Sequence, residues 1–478
     1  MKDVHATLAS SLESFRAELF DFLRIPSVSA RSEHDGDTRK AGAWVVERMR
    51  TAGLTAELLE TDGHPVALGE WQGAGPDAPT LLIYGHYDVQ PAEPLELWTS
   101  PPFEPEVRDG RIYARGAADD KGQLFLHLAA LHILLGTRGS LPVNVVVLAE
   151  GEEEVGSPNL LPFVERWQKR LAADAVVISD SAMFAEGLPS LLFSLRGLAY
   201  AEIRVQGARS DLHSGAYGGA VPNPAMALAR ILATLHDETG RITLPGFYDD
   251  VVAWDEETRA GVAALPFDEE AFREGTGAPG LSGEAGFGTL ERLWVRPTCE
   301  VNGLLSGYTG QGAKTVLPAQ AMAKVSFRLV PDQDPARVIA QLRSHVAQVA
   351  PTGVTVEVVE LHGGRPWRAR PGGVFFEAAR SALEEAFGVP PVLTGEGGSI
   401  PIVTEFERIL GAGAILLGFA LPGANMHAPD EWFPDNHLER GIETLLAFYS
   451  RLDASFPASS APASPAGSSG SSGTDANR

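Results

Sequence analysis

Five short segments of the 478-residue chain carry side chains suited to binding metal. They are Gly85-His86-Tyr87-Asp88-Val89, Arg115-Gly116-Ala117-Ala118-Asp119-Asp120-Lys121-Gly122, Glu150-Gly151-Glu152-Glu153-Glu154, Ser179-Asp180-Ser181 and Asn425-Met426-His427. Each supplies His, Asp or Glu where a hydrophobic stretch gives way to small or polar residues. Together they offer two imidazoles and three carboxylates for metal, with a further carboxylate for acid–base work. Such an inventory suits two divalent cations that share a bridging carboxylate and activate one water. It points to hydrolytic chemistry.

The elements that position these residues follow from the surrounding pattern. His86 and Asp88 stand at i and i+2 after the apolar run Leu81–Tyr84, so their side chains project to the same side. Asp119 and Asp120 lie in a Gly-flanked loop ahead of an apolar helix at Leu124–Leu135, where one Asp also suits an N-cap. Lys121 reads as a surface charge. The acids Glu152, Glu153 and Glu154 follow a strand at Val143–Leu148, and Asp180 closes the strand Ala175–Ile178. The carboxyl ends of sheet strands are where open α/β sheets place their sites. Three consecutive glutamates point in different directions, so one can hold metal while the next faces water. Position in the run alone leaves a one-residue slip open.

Strands without alternation, separated by helical stripes such as Leu8, Leu12, Phe15, Leu19 and Phe22, predict a mainly parallel sheet covered on both faces. A second helix is expected near Ala41–Thr51. After Arg196-Gly197 the texture changes. Ala199, Ala201, Ile203 and Val205 alternate with polar neighbours, as do Ala321, Ala323, Val325, Phe327 and Leu329, which puts Arg328 on the opposite face. The 238–292 stretch reads as irregular with short helices. Helix–strand alternation returns after about residue 372. The fold class is therefore α/β with an inserted α+β domain. The expected divisions are 1–197 and 373–456 for the catalytic domain, 198–372 for the insertion with one open sheet, and 457–478 for a disordered Ala/Pro/Ser/Gly tail.

Bulk properties narrow the function classes. Hydrophobic residues make up 44% and charged residues 21% of the chain, as in ordinary globular proteins. A formal net charge of −24 argues against nucleic acid or anionic membrane as a partner. One cysteine, Cys299, excludes an intrachain disulfide and a thiolate zinc cluster, so metal must be held by nitrogen and oxygen. The N-terminus lacks a signal-peptide core and no run reaches a membrane span, which makes a cytoplasmic location the expectation. There is no Gly-x-Ser-x-Gly elbow, His-Glu-x-x-His helix or Walker loop.

The chain also resembles the co-catalytic metallopeptidases that include aminoacylase, glutamate carboxypeptidase and the carnosinases. It is most similar to the branch of carnosinase and cytosolic non-specific dipeptidase. Besides the 113–122 segment, the resemblance is carried by Asp211-Leu212-His213-Ser214-Gly215, Gly312–Pro318, Phe327-Arg328-Leu329-Val330-Pro331 and Glu396-Gly397-Gly398-Ser399-Ile400-Pro401. It implies a zinc-peptidase-like catalytic domain with a lid and dimerisation insertion. It also implies a metal held by His86, Asp119 and Asp180, and a second by Asp119, Glu154 and His427. Glu153 would be the general base, with Asp88 supporting it. His213, Thr315, Arg328 and Ser399 would contact substrate. A cis peptide at Asp119-Asp120 and a homodimer through 198–372 are further implications. The implied activity is hydrolysis of dipeptides or other short peptides with a free C-terminal carboxylate. An N-acyl-amino-acid amidohydrolase using the same metals is the alternative. Mixed His/carboxylate sites accept Zn²⁺, Mn²⁺ or Co²⁺, with Zn²⁺ the first expectation.

Overall fold

The computed structural model describes residues 2–369, 372–398 and 400–452; Ser399 and the tail expected at 457–478 lie outside them. The apolar runs do form the centre of a sheet. Thr80–His86 pairs in parallel with Asn144–Glu150 on one side and Ala175–Ile178 on the other, and Ala175–Ile178 continues in parallel to Gly413–Leu416. Every residue of Asn144–Glu150 is buried, which is why no polar face shows in its sequence.

Beyond this centre the sheet turns antiparallel. The hairpin Thr55–Leu59 and Val66–Trp71 adds to Asn144–Glu150, and Trp367–Arg368 adds to Ser190–Leu195. Val392–Glu396 joins Ser190–Leu195 in parallel. The expected mainly parallel sheet is thus parallel where the site lies and mixed at its margins. The edge hairpin and Ser190–Leu195 were not anticipated from sequence. The hairpin strands are short and partly polar, and Ser190–Leu195 is separated from the next strand by Arg196 alone.

Helices cover both faces. Lys2–Leu23, Asp35–Thr51, Lys121–Arg138, Val374–Phe387 and Asp435–Arg451 bury their apolar stripes on one side. Leu160–Trp167 and Pro401–Leu410 cover the other. The helix Asp35–Thr51 starts six residues before the expected Ala41. Lys121–Arg138 is buried from Lys121 through Leu131, so it runs through the interior. Lys121 is accordingly not a surface charge. Its ammonium is fully buried and donates to the carbonyls of Ile25 (2.6 Å) and Phe22 (3.2 Å) near the end of the first helix. Burial brings it down to about 7. The surface reading of a lone lysine fails here because a long flexible stem can carry a charge to free carbonyls deep in the protein. No helix among the described residues is long and apolar enough to cross a membrane.

At Arg196 the chain leaves the large sheet. Gly197–Gln206, Thr298–Ser306, Gln320–Leu329 and Thr355–Gly364 form a separate antiparallel sheet of four strands. Pro224–Ala233 and Pro335–Val349 pack on one face, burying Ala199, Ala201, Ile203, Val205, Ala323, Val325 and Phe327. The other face carries the alternating polar residues. The chain re-enters the large sheet at Trp367–Arg368.

The turn bearing Asp180 is held by a close backbone crossing at Gly418. A Cβ there would meet the Ser181 carbonyl oxygen at 1.9 Å. Gly418→Ala is therefore expected to lower stability by about 1–3 kcal/mol through overpacking. Gly136→Ala, on a helix position with nothing within 4 Å, should be neutral or raise it by about 0.5–1 kcal/mol. Equal urea midpoints for the two variants would refute this reading of the crossing.

Candidate metal centre

Strand ends and two loops bring the predicted ligands together. His86 ends its strand fully buried, with Nε2 3.0 Å from Asp119 Oδ1 and 3.9 Å from Asp180 Oδ2. Its Nδ1 lies 3.1 Å from the Asp88 carbonyl oxygen, which suits Nδ1–H as donor and leaves the Nε2 lone pair for a cation. On the other side His427 Nε2 is 2.8 Å from Asp119 Oδ2 and 3.2 Å from Glu154 Oε2. Asp119 thus offers one oxygen to each side. Two donor sets result, His86/Asp119/Asp180 and Asp119/Glu154/His427, each with its ligand atoms within 4.8 Å of one another.

The three consecutive glutamates separate by direction. Glu152 turns away, accepting from the His64 backbone N–H at 3.1 Å and the Asn159 amide at 2.9 Å. Glu154 faces His427 and is steadied by Gln90, whose backbone and side-chain nitrogens lie 3.1 and 2.8 Å from its oxygens. Glu153 lies between them, within the field of His86, Asp180, Glu154 and Glu150. Their backbone is pinned by Asp88, whose carboxylate accepts from the N–H of Glu153 (3.2 Å), the N–H of Glu154 (3.1 Å) and the Ser29 hydroxyl (2.6 Å).

The loop before the central helix is fixed by two residues that sequence reasoning did not single out as functional. Glu431 is fully buried and accepts from the backbone N–H groups of Gly116 (3.0 Å), Ala118 (2.8 Å) and Asp119 (3.1 Å), while Arg115 donates to it at 2.6 Å. The only sequence signal is an acid four residues after His427. Asp120 occupies the N-cap position without a capping bond; its carboxylate instead accepts from the His86 N–H at 3.2 Å. The Asp119-Asp120 peptide is cis. Behind Asp180, His127 bridges the Ser179 hydroxyl (2.8 Å) and the Tyr449 hydroxyl (2.5 Å), and burial drives it down to about 3.

Electrostatics test whether cations fit. Burial, then the nearby Asp119, pushes Asp180 up to about 7, and burial raises Glu153 well above the usual carboxylate range. Hydrogen bonds to Asp119 and Glu154 lift His427 to about 10. Burial opposes charge on His86, but its bonds to Asp119 and Asp88 outweigh that and raise it well above an ordinary imidazole. Protons therefore gather wherever the acids crowd. A divalent cation relieves the same repulsion and displaces those protons, so the donor set fits metal.

The predicted substrate residues are not part of this cluster. His213 is exposed, with Nδ1 accepting from the Gly215 N–H, on a two-residue strand paired with Val316-Leu317. Thr315 is exposed beside it, its carbonyl accepting from the Ser214 N–H at 3.1 Å. Arg328 is half-buried and lines a different cleft, to which none of the metal-set residues contributes. Ser399 lies outside the described residues.

Residues 82–451 match the family model of peptidase family M20/M25/M40. The chain is 31% identical over 463 residues to the Cys-Gly metallodipeptidase dug1 of Schizosaccharomyces pombe, covering 93% of this chain and 97% of that one. It is 30% identical over 437 residues to the beta-Ala-His dipeptidase of Rattus norvegicus, covering 88% and 89%. Among solved structures, the M20 family metallo-carboxypeptidase Sso-CP2 from Sulfolobus solfataricus superposes with a TM-score of 0.82 at 33% identity, covering 92% of this chain and 99% of that one.

Removal of Glu431 should act at a distance from any substrate. Glu431→Ala strands a buried guanidinium and frees three backbone donors, so a stability loss of about 3–5 kcal/mol is expected. Zinc retained after dialysis should fall with it, since the loop carrying Asp119 is no longer held. Full zinc retention in folded Glu431→Ala would show that the loop needs no such tether.

Proposed function

The chain belongs to peptidase family M20/M25/M40, and from that premise we propose that it is a metal-dependent dipeptidase acting through two divalent cations bridged by Asp119. The observation that carries this is the pair of three-residue donor sets meeting at Asp119. The dipeptidases and the metallo-carboxypeptidase similar to it favour a peptide over an N-acyl amino acid as substrate. Rates on Ala-Ala and on N-acetylalanine separate the two.

His86, Asp119 and Asp180 hold one ion, and Asp119, Glu154 and His427 the other, with Zn²⁺ ahead of Mn²⁺ or Co²⁺. Bound there, the metal supplies positive charge that polarises the scissile carbonyl and makes water acidic. Glu153 takes the proton of the attacking water and delivers it to the leaving amine. Its burial suits this, because a carboxylate that burial raises above its usual range holds a proton more readily once it has accepted one. Asp88 is a positioning residue. By accepting both backbone N–H groups it fixes where Glu153 and Glu154 stand. His213 steadies the developing oxyanion. Thr315 and Ser399 contact the substrate, and Arg328 takes its carboxylate in a fork.

His213 and Thr315 reach such a substrate through a homodimer formed by the inserted sheet. Thr298–Ser306 is an edge strand, and Val301, Leu304, Leu305 and Tyr308 stand exposed along and just beyond it. An apolar open edge favours pairing with a second copy. In that arrangement the partner subunit's His213 serves this chain's metals.

Two experiments test these roles. Glu153→Gln is expected to retain the wild-type metal content and lose about 10³-fold in kcat. Glu152→Gln should lose far less, since its carboxylate binds His64 and Asn159; the reverse ranking would overturn the assignment of the base. For the dimer, Glu153→Gln and His213→Ala homodimers are each expected to be nearly inactive. Exchange between them should restore activity toward one good site per heterodimer. Verified exchange without recovered activity would place His213 in its own subunit's site or outside the reaction.

A further inference from the structure

The cleft of about 380 Å³ that Arg328 lines also presents Arg196, Arg292 and Arg296. Two of these guanidiniums are accounted for. Arg296 forms a fork with Glu284, at 2.7 and 2.8 Å. Arg292 donates to the carbonyls of Glu284 (3.1 Å) and Ser282 (3.3 Å). The other two form no ion pair among the described residues, although Glu396 and Glu300 attract Arg196 from further off. Arg328 has neither a hydrogen bond nor an ion pair from its side chain among the described residues. Arg196 is 8% exposed and makes only long bonds, from Nε to the Gly397 carbonyl at 3.3 Å and from Nη1 to the Arg292 carbonyl at 3.4 Å. Its Nη2 has no partner among the described residues. Glu300, the second acid lining the cleft, is exposed and makes no ion pair with either.

Two cations facing one cleft, neither in an ion pair, repel each other. Arg196 shows this: burial, and then Arg328, lowers it to about 10, against the weaker pull of Glu396 and Glu300. An incoming anion removes that repulsion, and a single carboxylate forked by Arg328 leaves Arg196 still unmatched.

We infer that Arg196 and Arg328 form a two-carboxylate subsite, which makes the enzyme selective for dipeptides whose C-terminal residue is acidic. Arg328 binds the α-carboxylate and Arg196 the side-chain carboxylate. This rests on the dipeptidase reading above. Arg196 is thereby a specificity-determining residue, set on the connection between the large sheet and the inserted one.

The test compares Ala-Glu with Ala-Gln, which share an α-carboxylate and differ by one side-chain charge. With metal-loaded wild-type enzyme, kcat/KM should favour Ala-Glu by about 10–100-fold, the range of a charge-assisted hydrogen bond. In Arg196→Gln the ratio should fall toward one, whatever the absolute rates. Calorimetry on the wild-type protein supplies a readout that needs neither turnover nor a variant. N-acetylglutamate should bind at least about tenfold more tightly than N-acetylglutamine, and the difference should shrink with added salt. Equal rates on the two dipeptides, equal binding of the two acids, or a ratio that survives Arg196→Gln would each overturn the subsite. If no dipeptide is hydrolysed, Ala-Ala included, yet N-acetylglutamate is preferred, the dipeptidase reading fails and the two-carboxylate subsite stands.

Discussion

The structure is organised around keeping many like charges close together inside the protein. Asp88, Asp119, Asp120, Glu150, Glu153, Glu154 and Asp180 all converge on the carboxyl ends of three parallel strands. Such a group is tolerable only where each charge is hydrogen-bonded, protonated or paired with a cation. All three solutions are used, in different places. Asp88 is surrounded by donors, two from the backbone and one from Ser29. Glu150 is pushed up to about 8 by burial, with Tyr84 donating to it at 2.6 Å. Asp119 goes the other way. Burial works against its charge, but bonds to His427 and His86 keep it below the usual carboxylate range. The one acid held ionised by both imidazoles is the one shared by the two donor sets.

This cluster draws on segments from both ends of the chain. His427 and Glu431 come after the insertion, while the loop they act on, Arg115–Asp119, comes before it. The buried Arg115–Glu431 pair joins the two parts at Asp119. A buried ion pair is weak evidence for stability, because desolvation offsets most of its attraction. Here its use is geometric. A carboxylate accepting three N–H groups of one loop fixes that loop more closely than apolar packing would, and ligand oxygens of a metal site tolerate little displacement.

The parts of the fold legible from sequence were those where one physical rule dominated. Full burial makes Leu81–Tyr84 and Val143–Leu148 uniformly apolar, and half-burial makes 321–330 alternate. Strand ends then mark His86, Asp180 and the glutamate run. The unread parts depend on long-range geometry. Lys121, among apolar neighbours, looks like any helix-start lysine until the first helix is seen to end beside it. Glu431 sits in an unremarkable polar turn. Glu152, Glu153 and Glu154 are equivalent by composition, and only Asp88 beneath their backbone and Asn159 beside them distinguish one from the next. Arg196 was read as a boundary marker, because its meaning comes from Arg328, more than a hundred residues later in the chain.

Charge is also distributed unevenly between the two sheets, and this bears on how a small peptide is oriented. The chain carries −24 overall, yet its long-range field is screened within about 8 Å at physiological ionic strength. Only local charge decides the pose of a substrate a few ångströms long. The large sheet contributes the acids and its metal ligands; the inserted sheet and its connection contribute Arg328 and Arg196. A dipeptide has its scissile carbonyl one residue from its C-terminal carboxylate. A polarising site on one sheet and a guanidinium site on the other therefore select the bond that precedes the C-terminal residue. On the proposed reading, the two oppositely charged walls fix which bond is cut and leave the number of residues before it to whatever surrounds the N-terminal side.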